Sequence, residues 1–225
     1  MRYHTEQNHA KTAAGLSIEM NQPDFPKLIR RFLYDQLHPD GPLTSSEVSL
    51  ATCPFFDGRI FVYYSALATF FAPSDLSGVG GMRRERIQAT PSWRKGPPRY
   101  DCVFLNSNPD LAGMLGLDVM RILLLFSFKF RNVSYPCALV RWYSRLGDEP
   151  DENTGMWKVE PEVDVNGSPV VTVIHLDCVL RAAHLIGVYG EDFISADLKE
   201  FQSLDAFRNF YVNKFADHHA FEIAS

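Results

Sequence analysis

Long apolar runs are missing from this sequence. Nowhere do the roughly 18 consecutive apolar residues of a membrane-spanning helix occur, and the opening residues, among them Arg2, His4, Glu6 and Lys11, do not build the apolar stretch of a secretory leader. The expectation is a soluble intracellular protein with no membrane partner. Cysteine is scarce as well. Cys53, Cys102, Cys137 and Cys178 stand far apart, without the close pairs of a zinc site or the density of a disulfide framework, and all four read as buried reduced thiols. Also lacking are a nucleophile elbow, a cysteine–histidine set and any cofactor signature. Gly80 and Gly81 follow Gly78, but no Lys-Ser or Lys-Thr comes after them, so the glycines read as a backbone turn and not as a phosphate cradle. No internal repeat is visible. Positive charge is in deficit: the net charge of −5 argues against a chain that coats nucleic acid with its whole surface.

What is present is apolar mass patterned for strands. With 225 residues, 46% of them hydrophobic, the chain can bury a sizeable core. Its organising stretch is Leu123–Tyr143. Phe126, Phe128 and Phe130 alternate with Ser127, Lys129 and Arg131, the period of two that gives a strand one buried and one wet face. Ile122–Leu125 is apolar without alternation, as expected of a strand covered on both sides. Arg131 and Asn132 supply a hairpin turn. The return arm runs from Cys137 to Tyr143, with Pro136 at its first position, where a missing N–H costs least.

Along the rest of the chain, residues 1–22 are polar, without sustained periodicity, and read as a flexible arm. A helix follows, with Asp24 as N-cap, Pro26 in the first turn, and Phe25, Leu28, Ile29, Phe32 and Leu33 at helical spacing. Together with a Pro-, Gly- and Ser-rich loop after Pro39 it forms an extension over 23–58. The main body is then 59–225. In it, Arg59–Tyr64 reads as a strand, Ser65–Ala72 as strand or helix, Tyr100–Leu105 as a strand, Met156–Val159 as a short strand and Val170–Leu176 as a strand. Asn166-Gly167 marks a turn. Cys178–Leu185 looks helical, and Ser203 caps a helix with Leu204, Phe207, Tyr211 and Phe215 along one side. The fold class expected is α+β: a curved antiparallel sheet or small β-barrel with flanking N- and C-terminal helices.

The most unusual composition lies between Arg83 and Arg99. Arg83, Arg84, Arg86, Arg94, Lys95 and Arg99 face a single acid, Glu85, so this piece carries +5 and the remainder about −10. Trp93 and Tyr100 interleave with the charges. Phosphate neutralisation combined with base stacking would require this mixture; an exposed, Pro-rich loop whose arginines satisfy the protein's own acids or carbonyls would display it equally. For metal chemistry the raw material is Glu85, Asp101, Asp118, His175 with Asp177, His184, and the run Asp217-His218-His219. No spacing among them matches a metal signature. His175 also reads as a satisfied core histidine, and the last run as a helix C-terminus.

The strings APSDLSGVGGMRRERI (Ala72–Ile87) and PSWRKGPPRYDCVFLN (Pro91–Asn106), the hairpin, TGMWKVEPE (Thr154–Glu162), VIHLDCVLRAAHLIGVYG (Val173–Gly190) and LDAFRNFYVNKFADHH (Leu204–His219) resemble, in order and spacing, the C-terminal region of fungal Plavaka-type transposases, relatives of the CACTA group. The resemblance spans about 59–219. It implies a nuclear, non-catalytic accessory domain that binds DNA or the catalytic part of a transposase, because the RNase H-like catalytic domain of that family lies upstream of the matched region. A second reading is a protein-interaction or chromatin-reading module in which Trp93, Trp142 and Trp157 serve a pocket. A third is a metal-dependent nuclease.

Overall fold

The fold was determined as a computed structural model and is described for residues 9–73, 79–190, 195 and 197–225. Its spine is the long hairpin of β6 (Leu117–Phe130) and β7 (Val133–Arg145), paired in antiparallel register from Val119↔Tyr143 to Phe130↔Val133. Arg131 and Asn132 at the tip both have positive φ, 49° and 65°, the backbone of the tight turn that matches strand twist. The register shifts between Ile122 and Leu124. That bulge resets the alternation, and it explains the unbroken apolar run: Met120, Ile122 and Leu125 turn to one face, while Leu124, Phe126 and Phe128 turn to the other.

Three cores therefore meet on one hairpin. Against the tip half pack β1 (Ile60–Tyr63), β9 (Val171–His175) and two helices, α1 (Ala13–Glu19) and α2 (Phe25–Leu37). Phe25, Ile29 and Leu33 of α2 are fully buried there, at the 3.6-residue spacing. Helix α1 corrects the arm expectation over 13–19: Thr12 caps it and Leu16 is fully buried. Residues 1–8 of that arm lie outside the described residues. Strand β7 also begins at Val133, earlier than expected, so Pro136 sits within it opposite Ser127. Pairing of β7 with β9 starts one residue later, at Cys137, so on that side Pro136 interrupts no ladder.

The second core fills a nearly closed barrel at the other end of the hairpin. Strands β5 (Cys102–Asn106), β6, β7 and β8 (Lys158–Pro161) run in sequence to β12 (Phe210–Val212). The ring closes through β10 (Val179–Ala183) and β11 (Leu185–Gly187), which are separated only by His184; the first pairs with β5, the second with β12. Both helices expected in this region are thereby corrected. Residues 179–187 form strands, and the helix begun at Ser203 stops after one turn as α3 (Ser203–Ala206), because Phe210 and Val212 are needed, fully buried, as a barrel strand. Tertiary pairing outweighs the local helical spacing. The chain ends in α4 (His218–Ile223), for which Asp217 is the N-cap, accepting from Ala220 N at 2.8 Å; the expected helix C-terminus is a helix N-terminus.

The third core lies between the hairpin and a small sheet of β2 (Ser65–Phe71), β3 (Met82–Thr90) and β4 (Arg99–Tyr100). Ala66, Ala68, Ile87 and Ala89 pack onto Val103, Met120, Ile122, Leu125 and Val140. Gly80 and Gly81, with φ of 62° and 74°, carry the turn into β3; Gly78 lies outside the described residues. Cys53, Cys102 and Cys137 are buried, whereas Cys178 is exposed, against expectation. Among the described residues, no helix is long and apolar enough to cross a membrane.

Candidate nucleic-acid interface and the adjoining cleft

The basic segment is not one loop. Its first half is strand β3, whose alternation divides the charges: Arg84 and Arg86 are exposed on the outer face, while Arg83 and Glu85 turn toward the barrel. Glu85 accepts from the backbone N–H of Ala182 at 3.1 Å. Its second half is the β3–β4 turn. Gly96 N–H donates to the Trp93 carbonyl at 2.8 Å, and Arg94 and Lys95 between them have φ of 52° and 63°. At about 3.3 Å per residue, Arg86 and Trp93 stand about 20 Å apart.

Trp93 is not presented for stacking. The guanidinium carbons of Arg94 and Arg99 lie 4.5 and 4.8 Å from its ring centroid, so cation–π contacts occupy the ring. Arg99 is also neutralised, donating through Nε and Nη2 to both oxygens of Asp101 at 2.7 and 3.2 Å. Tyr100 is half-buried against the third core. Nor do the other tryptophans join it. Trp142 donates Nε1–H to Thr172 Oγ1 at 2.7 Å on the face of β7 toward the small sheet, whereas Trp157 is buried inside the barrel. Opposite faces of one sheet separate them, and the three-tryptophan pocket does not form.

Arg94 and Lys95 stay exposed on the β3–β4 turn, while a different surface gathers five exposed basic groups. On the face of the main sheet that carries the small sheet, the alternation continues beyond Leu125 to Ser127 and Lys129, toward Arg131 in the turn. Phe61 lies opposite Ser127, and Tyr63 opposite Leu125. Arg59, Lys129 and Arg131 are exposed here, and Arg59 lies over the ring of half-buried Phe61 at 5.0 Å. The outer face of β2 and β3 turns the same way, one layer higher, and adds Arg84 and Arg86. The result is a stepped surface bearing five basic side chains from three separate stretches of sequence. Its outward strand positions, 61, 63, 65, 67, 69, 71, 82, 84, 86, 88, 127 and 129, hold no carboxylate. The acidic loop with Asp148, Glu149, Asp151 and Glu152 follows β7 at the opposite end of a hairpin about 45 Å long.

Four of the nine proposed metal candidates face a cleft of about 570 Å³ between the β3–β4 turn, β5, β10 and the start of α3. Glu85, Asp101, His184 and Asp217 line it, but arginines line it too. Arg181 grips Asp217 through both Nη atoms at 2.8 and 2.6 Å, lies 3.7 Å from Glu85, donates to His219 Nδ1 at 3.2 Å and covers the ring of Phe70. Hydrogen bonds from Arg181 hold the Asp217 carboxyl at about 2. Burial first, then the Arg181 charge, keep His219 below its ordinary value. His184 pairs with Asn213 instead, and Asp177 is exposed beside His175, away from the cleft. Among the described residues no three metal-ligating side chains converge.

The depressed carboxylate makes a pH prediction. Its contribution to stability is complete above the ordinary Asp range near 3.8 and is lost as pH falls through about 2. Asp217→Asn keeps the cap acceptor and removes the charge. Melting temperature followed from pH 5 to pH 2 should fall less steeply in Asp217→Asn than in the parent; parallel curves would show that the pair contributes nothing to acid sensitivity.

Comparison of the chain with family models, with curated proteins and with solved structures returned no match.

Proposed function

We propose that this chain is a non-catalytic accessory module of a transposase-like protein and that it holds DNA against the stepped basic face. The observation that carries the reading is the concentration of Arg59, Arg84, Arg86, Lys129 and Arg131 on a surface whose described outward strand positions hold no carboxylate, on a protein whose net charge is −5. Such a molecule meets a polyanion productively in one orientation, with its acidic loops turned away. Exposed guanidinium and ammonium groups reach phosphate oxygens, which position the protein without reading sequence. The resemblance to the C-terminal region of Plavaka-type transposases supports the same assignment and adds the nuclear setting. The aromatic-pocket alternative loses its support, because the tryptophans are dispersed.

Fluorescence anisotropy with a short labelled duplex tests the location of the site. At about 0.1 M salt, removing two phosphate contacts should weaken binding on the order of 50-fold. That is the loss expected for Arg84→Ala with Arg86→Ala, while Trp93→Ala should change affinity less than about twofold, its ring being covered already. The reverse pattern would transfer the interface to the β3–β4 turn.

A further inference from the structure

Arg121 and Arg141 are direct cross-strand partners in the β6–β7 hairpin, and so share one face of the sheet. Like charges in that relation repel, and water screens Arg121, 8% exposed, poorly; Arg141 is half-buried, and the Nε of each has neither solvent nor a hydrogen-bond partner. One carboxylate serves the pair. Asp205 accepts from Nη1 of Arg121 at 2.6 Å, which leaves the Nε side of that guanidinium unused. Arg141 has no ion-pair partner among the described residues; of the acids that line the adjoining cleft, Asp101 is engaged by Arg99, Asp217 and Glu85 by Arg181, and Glu200 is exposed to solvent. A third orphaned donor adjoins them. Tyr143, two residues beyond Arg141 on the same face and 4% exposed, has a hydroxyl with no oxygen or nitrogen acceptor, its one polar neighbour there being the weakly accepting Cys102 thiol; burial pushes its ionisation up, so it stays an O–H donor.

Buried groups of this kind are ordinarily satisfied. Here every deficit has the same sign: donors without acceptors, and two positive charges against one negative. Apolar packing does not correct that deficit, and water corrects only the hydrogen bonding. Two guanidinium edges and a phenol match an oxyanion, which accepts several bonds and carries the missing charge. There is also a way in, because Arg121 and its neighbour Cys102 form part of the floor of the 570 Å³ cleft. We propose that Arg121, Arg141 and Tyr143 form a binding site for a small oxyanion, a phosphate or a carboxylate, entered from the cleft. The site lies inside the sheet and is independent of the stepped DNA-binding face.

The test is a thermal melt of the full chain, dialysed into chloride buffer and titrated with sodium phosphate or with sodium acetate while sodium chloride holds the ionic strength constant. One of the two should raise Tm along a saturating curve, by about 5 °C at a hundredfold excess over Kd; phosphate or acetate as the active arm identifies the class. Arg141→Met should abolish the response, and its Tm in chloride should equal or exceed that of the parent, since the repulsion is relieved. Tyr143→Phe, a substitution that preserves shape, should weaken the apparent affinity several-fold, and it decides the matter if Arg141→Met fails to fold. An absence of response to both anions, or an undiminished response in Arg141→Met and Tyr143→Phe, overturns the site.

Discussion

Phe128→Ala is expected to destabilise the protein by about 3 to 5 kcal/mol, the range for deleting a large ring from a core that can only partly collapse. Phe128 is fully buried and stands at the centre of an aromatic cluster. Its ring centroid lies 4.7 Å from that of Phe56, 5.5 Å from Tyr135, 6.1 Å from Phe126 and 6.3 Å from Phe32. Those neighbours come from β6, β7, α2 and the loop before β1, so the one ring ties the helices to the hairpin tip. Offset and edge contacts among aromatics add to simple area burial, which places the expected loss toward the upper end. A chemical denaturation midpoint that moves with unchanged slope would report the loss; a midpoint left where it was would contradict the packing described for the tip.

The same element illustrates what a sequence can and cannot disclose. The hairpin was legible because its signals are local: Phe126, Phe128 and Phe130 alternate at a period of two, and Asn132 tolerates the left-handed backbone of the turn. Helix α2 was legible for the same reason, through Phe25, Ile29 and Leu33. The barrel closure was not. Phe207, Tyr211 and Phe215 fall at helical spacing, yet Phe210 and Val212 are held as a strand by β8 and β11, whose partnership is invisible until the chain is folded. Helix α1 is seven residues long, and Ala13 and Leu16, its buried pair, are too few to define a period.

The candidate interface divides along the same line. A cluster of arginines between Arg83 and Arg99 stands out in the sequence, but alternation along β3 sends Arg83 inward, Asp101 neutralises Arg99, and two guanidiniums cover Trp93. Arg84 and Arg86 stay exposed on the outer face of the strand. Their companions Arg59, Lys129 and Arg131 come from two stretches about 70 residues apart, and only the pairing of β1 with β6 brings those together. A scan for local charge density finds the segment and misses the surface.

The salt dependence of DNA binding addresses the central claim most directly. Five phosphate contacts release counterions with a log–log slope of about −4.5 on duplex, so affinity should fall roughly 500-fold between 50 and 200 mM salt. Replacing Arg59, Arg84, Arg86, Lys129 and Arg131 together by alanine should abolish most of that slope and nearly all of the low-salt affinity, whereas replacing Arg94 and Lys95 should alter the slope by less than one contact each. Anisotropy of a labelled duplex across that salt range reads both quantities at once. The account predicts a steep slope that collapses in the five-residue variant; a steep slope that survives in that variant, or no binding by the parent at 50 mM salt, would contradict it.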